Sequence, residues 1–283
     1  MENIIITDQK KLDLELDHII HEGISNLRII SDFDRTLTKA FVKGKSRPSL
    51  LSILRDEKYL TPKYPAKAQA LFDHYHAIEI DPKVDLETKK SMMLERRTKH
   101  FQLLMDSWLR KQDIQKAMQS ENIEFREWAL WLFDISNEYN IPLVILSASW
   151  LGYDGICRYL KNFNKLYKSV HIVSNTFKRD RDGNILGIQN PIIHSFNKDA
   201  EILFNLPFYH DIKNKKNVIL LWDTVWDANM IDWFEYKNLI KIWFLNDNID
   251  QQLEEFKKHY DIIVTGDWPL NYVTRLIKKI ISK

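Results

Sequence analysis

Two aspartates separated by one residue begin a turn in the segment Asp32-Phe33-Asp34, and Thr36 follows two positions later. The turn comes directly after residues 27–31, a short apolar run with β-branched residues that is typical of a buried strand. Two carboxylates at this spacing allow one to act as nucleophile or metal ligand while the other acts as general acid and base. On its own the pattern also fits a helix cap or a solvated turn.

Two later apolar runs also end in polar side chains. Residues 141–146 lead into the hydroxyl of Ser147, and residues 217–222 lead into Asp223, with Asp227 four positions later. A hydroxyl can bind a phosphate oxygen, and carboxylates are hard oxygen ligands that suit Mg²⁺. All three apolar runs are therefore followed by groups that could handle phosphate and a metal.

Lys198 supplies a cation to the same set of polar groups. It stands just before residues 199–206, whose pattern predicts a helix. A cation beside the free amides of a helix N-terminus suits an anionic ligand. Four such elements in this order, three of them at strand ends, are far more specific than any one alone.

The elements that must position these side chains alternate along the chain. Apolar runs at 170–174, 240–245 and 260–265 predict further strands, and apolar residues at helical spacing predict a helix over 125–139. Alternating strands and helices predict an α/β fold, a parallel sheet with helices on both faces. Such folds bind ligands at the carboxyl ends of the strands, where the candidate residues are expected.

A different pattern occupies the stretch between the first and second strands. No buried strand is predicted from residue 44 to 122, and residues 88–118 form a long, charge-rich helical stretch. We therefore predict one α/β core of residues 1–44 and 123–283 with an inserted helical module, residues 45–122. The charged segment 179–184 is expected to be a hairpin tip or loop.

Composition excludes several other functions. With 41 Lys+Arg against 39 Asp+Glu, the net charge of +2 gives no reason to expect a nucleic acid polymer or a membrane as partner. Only 7 glycines are present, which excludes glycine-rich phosphate loops, and the single Cys157 excludes an internal disulfide. The first residues lack the pattern of a secretory signal, so we expect a cytoplasmic protein. The sequence does not indicate an oligomeric state.

Several segments together resemble the haloacid dehalogenase superfamily of phosphohydrolases, and more closely its pyrimidine 5′-nucleotidase family. The resemblance is carried by IISDFDRTLT, GKSRP, HAIEIDP, ILSAS, HSFNK and VILLWDTVWD, and it extends over nearly the whole chain. It implies a Rossmann-like core of the haloacid dehalogenase type with an inserted helical cap. It also implies a phosphomonoester hydrolase that converts nucleoside 5′-monophosphates to nucleoside and phosphate.

The resemblance implies roles for the residues of the core. Asp32 would attack phosphorus to form an aspartyl-phosphate, and Asp34 would protonate the leaving oxygen and then activate water. Mg²⁺ would bind to Asp32, to the main-chain carbonyl of Asp34 and to Asp223. The phosphate would be held by Ser147, Ala148 and Lys198. Asp227 would orient Lys198 or a metal-bound water.

In the predicted cap, the resemblance implies that Glu79 reads the base of the substrate. A carboxylate accepts hydrogen bonds and cannot donate them, so it would favour the amino group of cytosine over the carbonyl of uracil. We therefore expect CMP to be a better substrate than UMP. Alternatively, Glu79 is an exposed acid before a turn.

The chain departs from the family pattern at several places. Ser149, Trp222 and Trp226 stand where the family has glycine, and Trp150 follows Ser149. His100 replaces a cap serine that the family associates with a methylated purine. The three indoles are expected either to pack in the core or to reshape the pocket, since glycine allows a backbone to approach a ligand closely.

Two other functions remain open. The first is a phosphatase of the same superfamily that acts on sugar phosphates or other small phosphomonoesters. The second is a catalytically silent relative that acts through protein contacts. Retention of all the polar residues of the core argues against a silent relative, which would not need them.

Overall fold

A computed structural model describes residues 3–47, 49–81, 83–198, 206–223 and 235–282. The first part of the chain contains β1 (Ile4–Ile6), α1 (Gln9–Glu22), β2 (Leu27–Ser31), β3 (Phe41–Val42) and β4 (Lys45–Ser46). Four helices follow, α2 (Leu51–Asp56), α3 (Tyr64–Ile80), α4 (Leu86–Asp106) and α5 (Lys111–Ala117).

The remainder of the described chain alternates helices and strands. It contains α6 (Ala129–Glu138), β5 (Leu143–Ser147), α7 (Gly152–Asn162), β6 (Val170–Ser174), β7 (Phe177–Arg179), β8 (Ile185–Ile188) and α8 (Tyr209–Ile212). It continues with β9 (Asn217–Trp222), β10 (Asn238–Leu245), α9 (Ile249–Phe256), β11 (Ile262–Thr265) and α10 (Asn271–Ile281).

Seven strands form the central sheet in the order β1-β11-β10-β9-β2-β5-β6. All neighbouring pairs are parallel except β1 with β11. Successive residues of one strand enter different apolar clusters: Ile29 packs in one and Ile30 in the other. Because both faces of the sheet are buried, β2, β5 and β9 need apolar residues at nearly every position. The predicted α/β fold is confirmed.

The helical segment from α2 to α5, which we call the helical insertion, lies in the chain between β2 and β5, two strands that are neighbours in the sheet. Phe101 of α4 packs edge-on against Phe177 and at a tilt against Trp150, both of which belong to the rest of the chain. These aromatic contacts place α4 directly over the segments that follow β5 and β6. The division of the chain at residues 44 and 123 stays a prediction.

Some local expectations differ from the structure. The stretch 88–118 forms two helices, because the chain turns between α4 and α5, where Trp108 has a left-handed φ of 62°. The predicted helix over 125–139 begins only at Ala129. The predicted hairpin is present, with β7 and β8 pairing on either side of its tip. The predicted helix over 199–206 lies almost entirely outside the described residues. No helix of the described chain could cross a membrane.

Candidate active site

The ends of three adjacent strands meet at one edge of the sheet. Ser31 of β2 is in register with Ile145 of β5 on one side and with Leu221 of β9 on the other. The amide of Asp32 continues this ladder, donating to the carbonyl of Leu221 over 2.9 Å. Ser147, the last residue of β5, and Asp223, which follows β9, therefore lie at the same edge as Asp32.

Asp32 is nearly buried, with 6 % of its surface exposed, and it is held in a fixed orientation. One carboxylate oxygen accepts a hydrogen bond from the amide of Phe33 over 2.6 Å. The other accepts from the ammonium of Lys198 over 2.5 Å. The structure thus brings together the predicted nucleophile and the predicted phosphate-binding cation, as a buried ion pair.

Asp34 lies in the same turn but in a different environment. It is half-buried, and its carboxylate accepts a hydrogen bond from the amide of Leu50 over 3.1 Å. Burial, together with the negative charge of Asp32, raises the pKa of Asp34 to about 7. A carboxyl group with a pKa near neutrality can both give and take a proton, which suits the predicted acid and base role.

Asp223 is held by a cation that the sequence analysis did not single out. The side chain of Arg35 lies with its Nε 3.3 Å from Asp223 and one terminal nitrogen 2.6 Å from Asp247. The backbone of Arg35 has a left-handed φ of 62°, within the turn that carries the two carboxylates predicted to be catalytic. Arg35 thus balances the charge of Asp223.

Arg126 is a second cation that sequence reasoning missed. Its fully buried guanidinium donates to the main-chain carbonyls of Arg35 and Thr36, over 2.7 and 3.0 Å. It also donates to Asn246, Gly266 and Trp268. Arg126 therefore ties the turn that carries Asp32 and Asp34 to the loops after β10 and β11. No local pattern around a single arginine could indicate this role, since its partners are distant in sequence.

The donors at this edge fit a hard divalent metal ion. Asp32 and the side chain of Asp223 are both nearly buried carboxylates on adjacent strand ends, and each now faces a cation, which shows that the pocket favours positive charge. No group of three His, Cys, Asp or Glu side chains is close enough to hold a metal within the described ranges. The predicted metal site does not need three such side chains, since its protein ligands are the carboxylates of Asp32 and Asp223 and the main-chain oxygen of Asp34.

The predicted phosphate-binding segment after β5 is tightly packed. Ser147 is 1 % exposed, and its hydroxyl accepts a hydrogen bond from the amide of Ser149 over 3.2 Å. Ala148 between them is half-buried. Asp227, the remaining predicted residue of the core, lies outside the described residues, as does Trp226.

Glu79 lies near the end of α3 and is bound from two directions. It forms an ion pair with Arg96 of α4 over 2.9 Å and accepts a hydrogen bond from Ser195 of the core over 2.8 Å. Although burial opposes ionisation, contacts from His76, Arg96 and Ser195 lower the pKa of Glu79 to about 2. The alternative of an exposed acid before a turn is wrong, and Glu79 stays ionised at neutral pH.

Trp150 and His100 meet where the helical insertion covers the strand ends. Their ring centroids are 4.4 Å apart, and the indole is 6 % exposed. Burial and the charge of Arg97 lower the pKa of His100 to about 3, so its imidazole is neutral and bonds to the hydroxyl of Tyr64 over 3.0 Å. The indole of Trp150 is thus part of the boundary between the insertion and the core.

A family model described as pyrimidine 5′-nucleotidase (UMPH-1) matches residues 35–281. The chain belongs to the pyrimidine 5′-nucleotidase family. The 7-methylguanosine phosphate-specific 5′-nucleotidase of Homo sapiens is 34% identical to it over 262 residues, which cover 92% of this chain and 87% of that protein. The protein of the same name from Gallus gallus is 31% identical over 266 residues, covering 94% and 91%.

Solved structures agree with this family assignment. The structure of cytosolic 5′-nucleotidase IIIB bound to cytidine has a TM-score of 0.82 and 25% identity, and the match covers 100% of this chain and 94% of the other. A substrate-bound phosphoserine phosphatase matches with a TM-score of 0.51 and 14% identity over 88% of this chain and 96% of the other, which shows the fold alone. The predicted 5′-nucleotidase family and haloacid dehalogenase fold are confirmed.

Trp222, which the sequence analysis placed where the family is expected to have glycine, packs in the core and also contacts a predicted site residue. Its side chain is 1 % exposed and packs in one of the two large apolar clusters of the sheet. Its ring face also lies 4.8 Å from the ammonium of Lys198. The indole therefore belongs to the core, and it also supports the cation that pairs with Asp32.

Replacing Trp222 by Leu should lower the free energy of unfolding by about 2–4 kcal/mol and weaken phosphate binding about threefold to tenfold. The first effect comes from lost packing and the second from lost support for Lys198. Trp243→Leu is a matched control, because Trp243 is also 1 % exposed and is the register partner of Trp222 on β10. Thermal melts and inhibition by inorganic phosphate measure the two effects. Equal phosphate affinity in both variants would contradict a role for the indole in the site.

Proposed function

We propose that the protein is a Mg²⁺-dependent 5′-nucleotidase that hydrolyses nucleoside 5′-monophosphates, pyrimidine ones included, through an aspartyl-phosphate. The observation that carries the proposal is the ion pair of Asp32 with Lys198, beside the protonatable Asp34 and next to Asp223 on the adjacent strand end. A cytoplasmic location agrees with the sequence analysis. The family assignment limits the reaction to phosphomonoester hydrolysis.

In the first step, a carboxylate oxygen of Asp32 attacks phosphorus, and the bond from phosphorus to the 5′ oxygen breaks. Protonated Asp34 gives its proton to that oxygen, so the nucleoside leaves as an alcohol. In the second step, Asp34 takes a proton from water as the water attacks the phosphoryl group. Phosphate leaves, Asp32 is regenerated, and Asp34 again carries a proton.

The other residues of the core hold charge in place during both steps. Lys198 and the groups of Ser147 and Ala148 bind the phosphoryl oxygens that do not react. Magnesium bound by Asp32, Asp223 and the main-chain oxygen of Asp34 would neutralise the charge that develops on the phosphate. Arg126 keeps the catalytic turn rigid, which supports in-line attack, because positioning supplies much of the catalysis of phosphoryl transfer.

The test is a phosphate-release assay over nucleoside monophosphates, sugar phosphates and p-nitrophenyl phosphate, each with Mg²⁺ and with EDTA. We expect release from nucleoside monophosphates only when a hard divalent cation is present. Equal turnover in EDTA would contradict the metal requirement. Faster turnover of sugar phosphates than of every nucleotide would favour the second phosphatase function, and no turnover of any substrate would indicate a silent relative.

Glu79→Gln should reduce the preference for CMP over UMP. We expect the wild-type protein to prefer CMP about tenfold, because one charge-assisted hydrogen bond to the cytosine amino group is worth about 1.5–3 kcal/mol. Glu79 already accepts hydrogen bonds from Arg96 and Ser195. Gln can present an oxygen or an amide, so the ratio of kcat/KM values should approach one. Hydrolysis of p-nitrophenyl phosphate should change little. A variant that slows all substrates equally would argue against base reading.

A further inference from the structure

Arg97 of α4 is a buried cation that the mechanism above does not use. Its guanidinium carbon lies 3.6 Å from the ring centroid of Trp150, so the helical insertion and the core meet through a stacked pair. The residue is 9 % exposed. One terminal nitrogen, Nη1, is buried without a hydrogen-bond partner among the described residues. An unsatisfied buried donor is unfavourable, and a ligand that offers an acceptor would remove this cost.

Arg97 lies within electrostatic range of acidic residues at both ends of the expected substrate site. Asp32 and Asp34, at the phosphate end, and Glu79, at the base end, all raise its pKa. Burial and the neighbouring Arg96 lower the pKa of Arg97 to about 9, so the side chain remains a cation at neutral pH.

Arg96 differs from Arg97 because it already has an ionic partner. Its Nη1 bonds to Glu79 over 2.9 Å, whereas Nη1 of Arg97 has no such contact within the described part of the chain. His100, which lies one turn further along the same helix, is neutral and is bonded to Tyr64. Arg96 also has a buried nitrogen, Nε, without a hydrogen-bond partner among the described residues, but its charge is paired with that of Glu79. Arg97 therefore combines an available donor with a charge that no ion pair of the described residues balances.

We infer that Arg97 is a specificity-determining residue, which donates from Nη1 to an acceptor atom of the nucleoside and disfavours substrates whose base carries a positive charge. The inference rests on the proposed function, because it assumes that a nucleoside monophosphate fills the space between Asp32 and Glu79. The base of 7-methylguanosine is a cation below neutral pH, since methylation at N7 adds a charge. The guanidinium of Arg97, which has no ionic partner among the described residues, would repel it, and the neighbouring Arg96 adds a second positive charge.

The inference is tested with inhibitors of p-nitrophenyl phosphate hydrolysis, measured below neutral pH. The inhibitors are inorganic phosphate, UMP, GMP and 7-methyl-GMP, and the variants are Arg97→Met, Arg97→Lys and Lys99→Met. Lys99→Met is the matched control, because Lys99 lies on the same helix with its side chain 55 % exposed and paired with Glu95.

We expect the wild-type protein and Lys99→Met to bind GMP at least about tenfold more tightly than 7-methyl-GMP. Arg97→Met should abolish this difference and weaken UMP binding about tenfold, while the affinity for inorganic phosphate stays unchanged. Arg97→Lys keeps the charge and should keep the discrimination between GMP and 7-methyl-GMP. Thermal melts of the two Arg97 variants check that they fold.

Two results would overturn the inference. If Arg97→Met loses affinity for inorganic phosphate as much as for UMP, Arg97 binds the phosphate or only supports the fold. If the ratio between GMP and 7-methyl-GMP is the same in the wild-type protein and in Arg97→Met, Arg97 does not read the charge of the base. A wild-type protein that no nucleotide inhibits more strongly than phosphate would instead contradict the proposed function.

Discussion

Asp32→Asn should reduce turnover of every phosphomonoester by at least about 10⁴-fold and leave the melting temperature within a few degrees of the wild-type value. Asparagine lacks the charged oxygen that must attack phosphorus, so the reaction loses its first step. It has nearly the same shape, and its single side-chain oxygen can still accept a hydrogen bond from one of the two donors to Asp32, the amide of Phe33 or the ammonium of Lys198. Single-turnover assays and thermal melts measure the two quantities.

Asp261→Asn provides the matched control. Asp261 is 5 % exposed and is paired with Lys11 over 2.7 Å, so it resembles Asp32 in burial and charge. It lies just before β11, at the opposite edge of the parallel sheet from the strand ends that carry the site. This control should keep its activity within about threefold of the wild-type value. An Asp32→Asn protein with more than a few per cent of wild-type activity would be incompatible with an aspartyl-phosphate.

The three central strands of the sheet could be predicted because both of their faces are buried. The runs that form β2, β5 and β9 are buried at every position, so their composition identifies them as strands without reference to the rest of the chain. Because parallel neighbours end at the same edge, the order of polar residues after these runs was enough to predict that Asp32, Ser147 and Asp223 would lie together.

Elements that depend on distant partners were harder to predict. Strand β1 consists of three isoleucines, a strand-forming composition but a run shorter than the about 4–8 residues that identify a strand, and its partner β11 lies about 260 positions later. The break between α4 and α5 depends on the left-handed conformation of Trp108, which is uncommon for an aromatic residue. Neither feature follows from the spacing of apolar residues.

The cations of the site show the same limit. Arg35, Arg97 and Arg126 stand in stretches of ordinary charged composition, and their partners come from other elements. Type and spacing identify carboxylates after a strand, because the strand fixes their direction. A long arginine side chain has no such constraint, and its role became visible only when the fold placed Trp150, Asp223 or a main-chain carbonyl beside it.

Asp34→Asn should abolish acid catalysis while it stabilises the folded protein at alkaline pH. The pKa of Asp34 rises from its ordinary value of 3.8 to about 7 in the folded state. Between these two values the folded state binds a proton that the unfolded state has released. The free energy of unfolding therefore falls as the pH rises through this range, and the full penalty is present above pH 7.

The neutral asparagine removes this penalty. In EDTA, the stability of Asp34→Asn relative to the wild-type protein should rise by about 1–2 kcal/mol between roughly pH 5.5 and pH 8, since one pKa unit corresponds to about 1.4 kcal/mol. Turnover should fall by at least about 10²-fold, because no group remains to protonate the leaving oxygen. Urea unfolding at several pH values gives the first quantity, and kinetics with Mg²⁺ give the second. Parallel stability curves for the two proteins would mean that the pKa of Asp34 is not raised in the folded state.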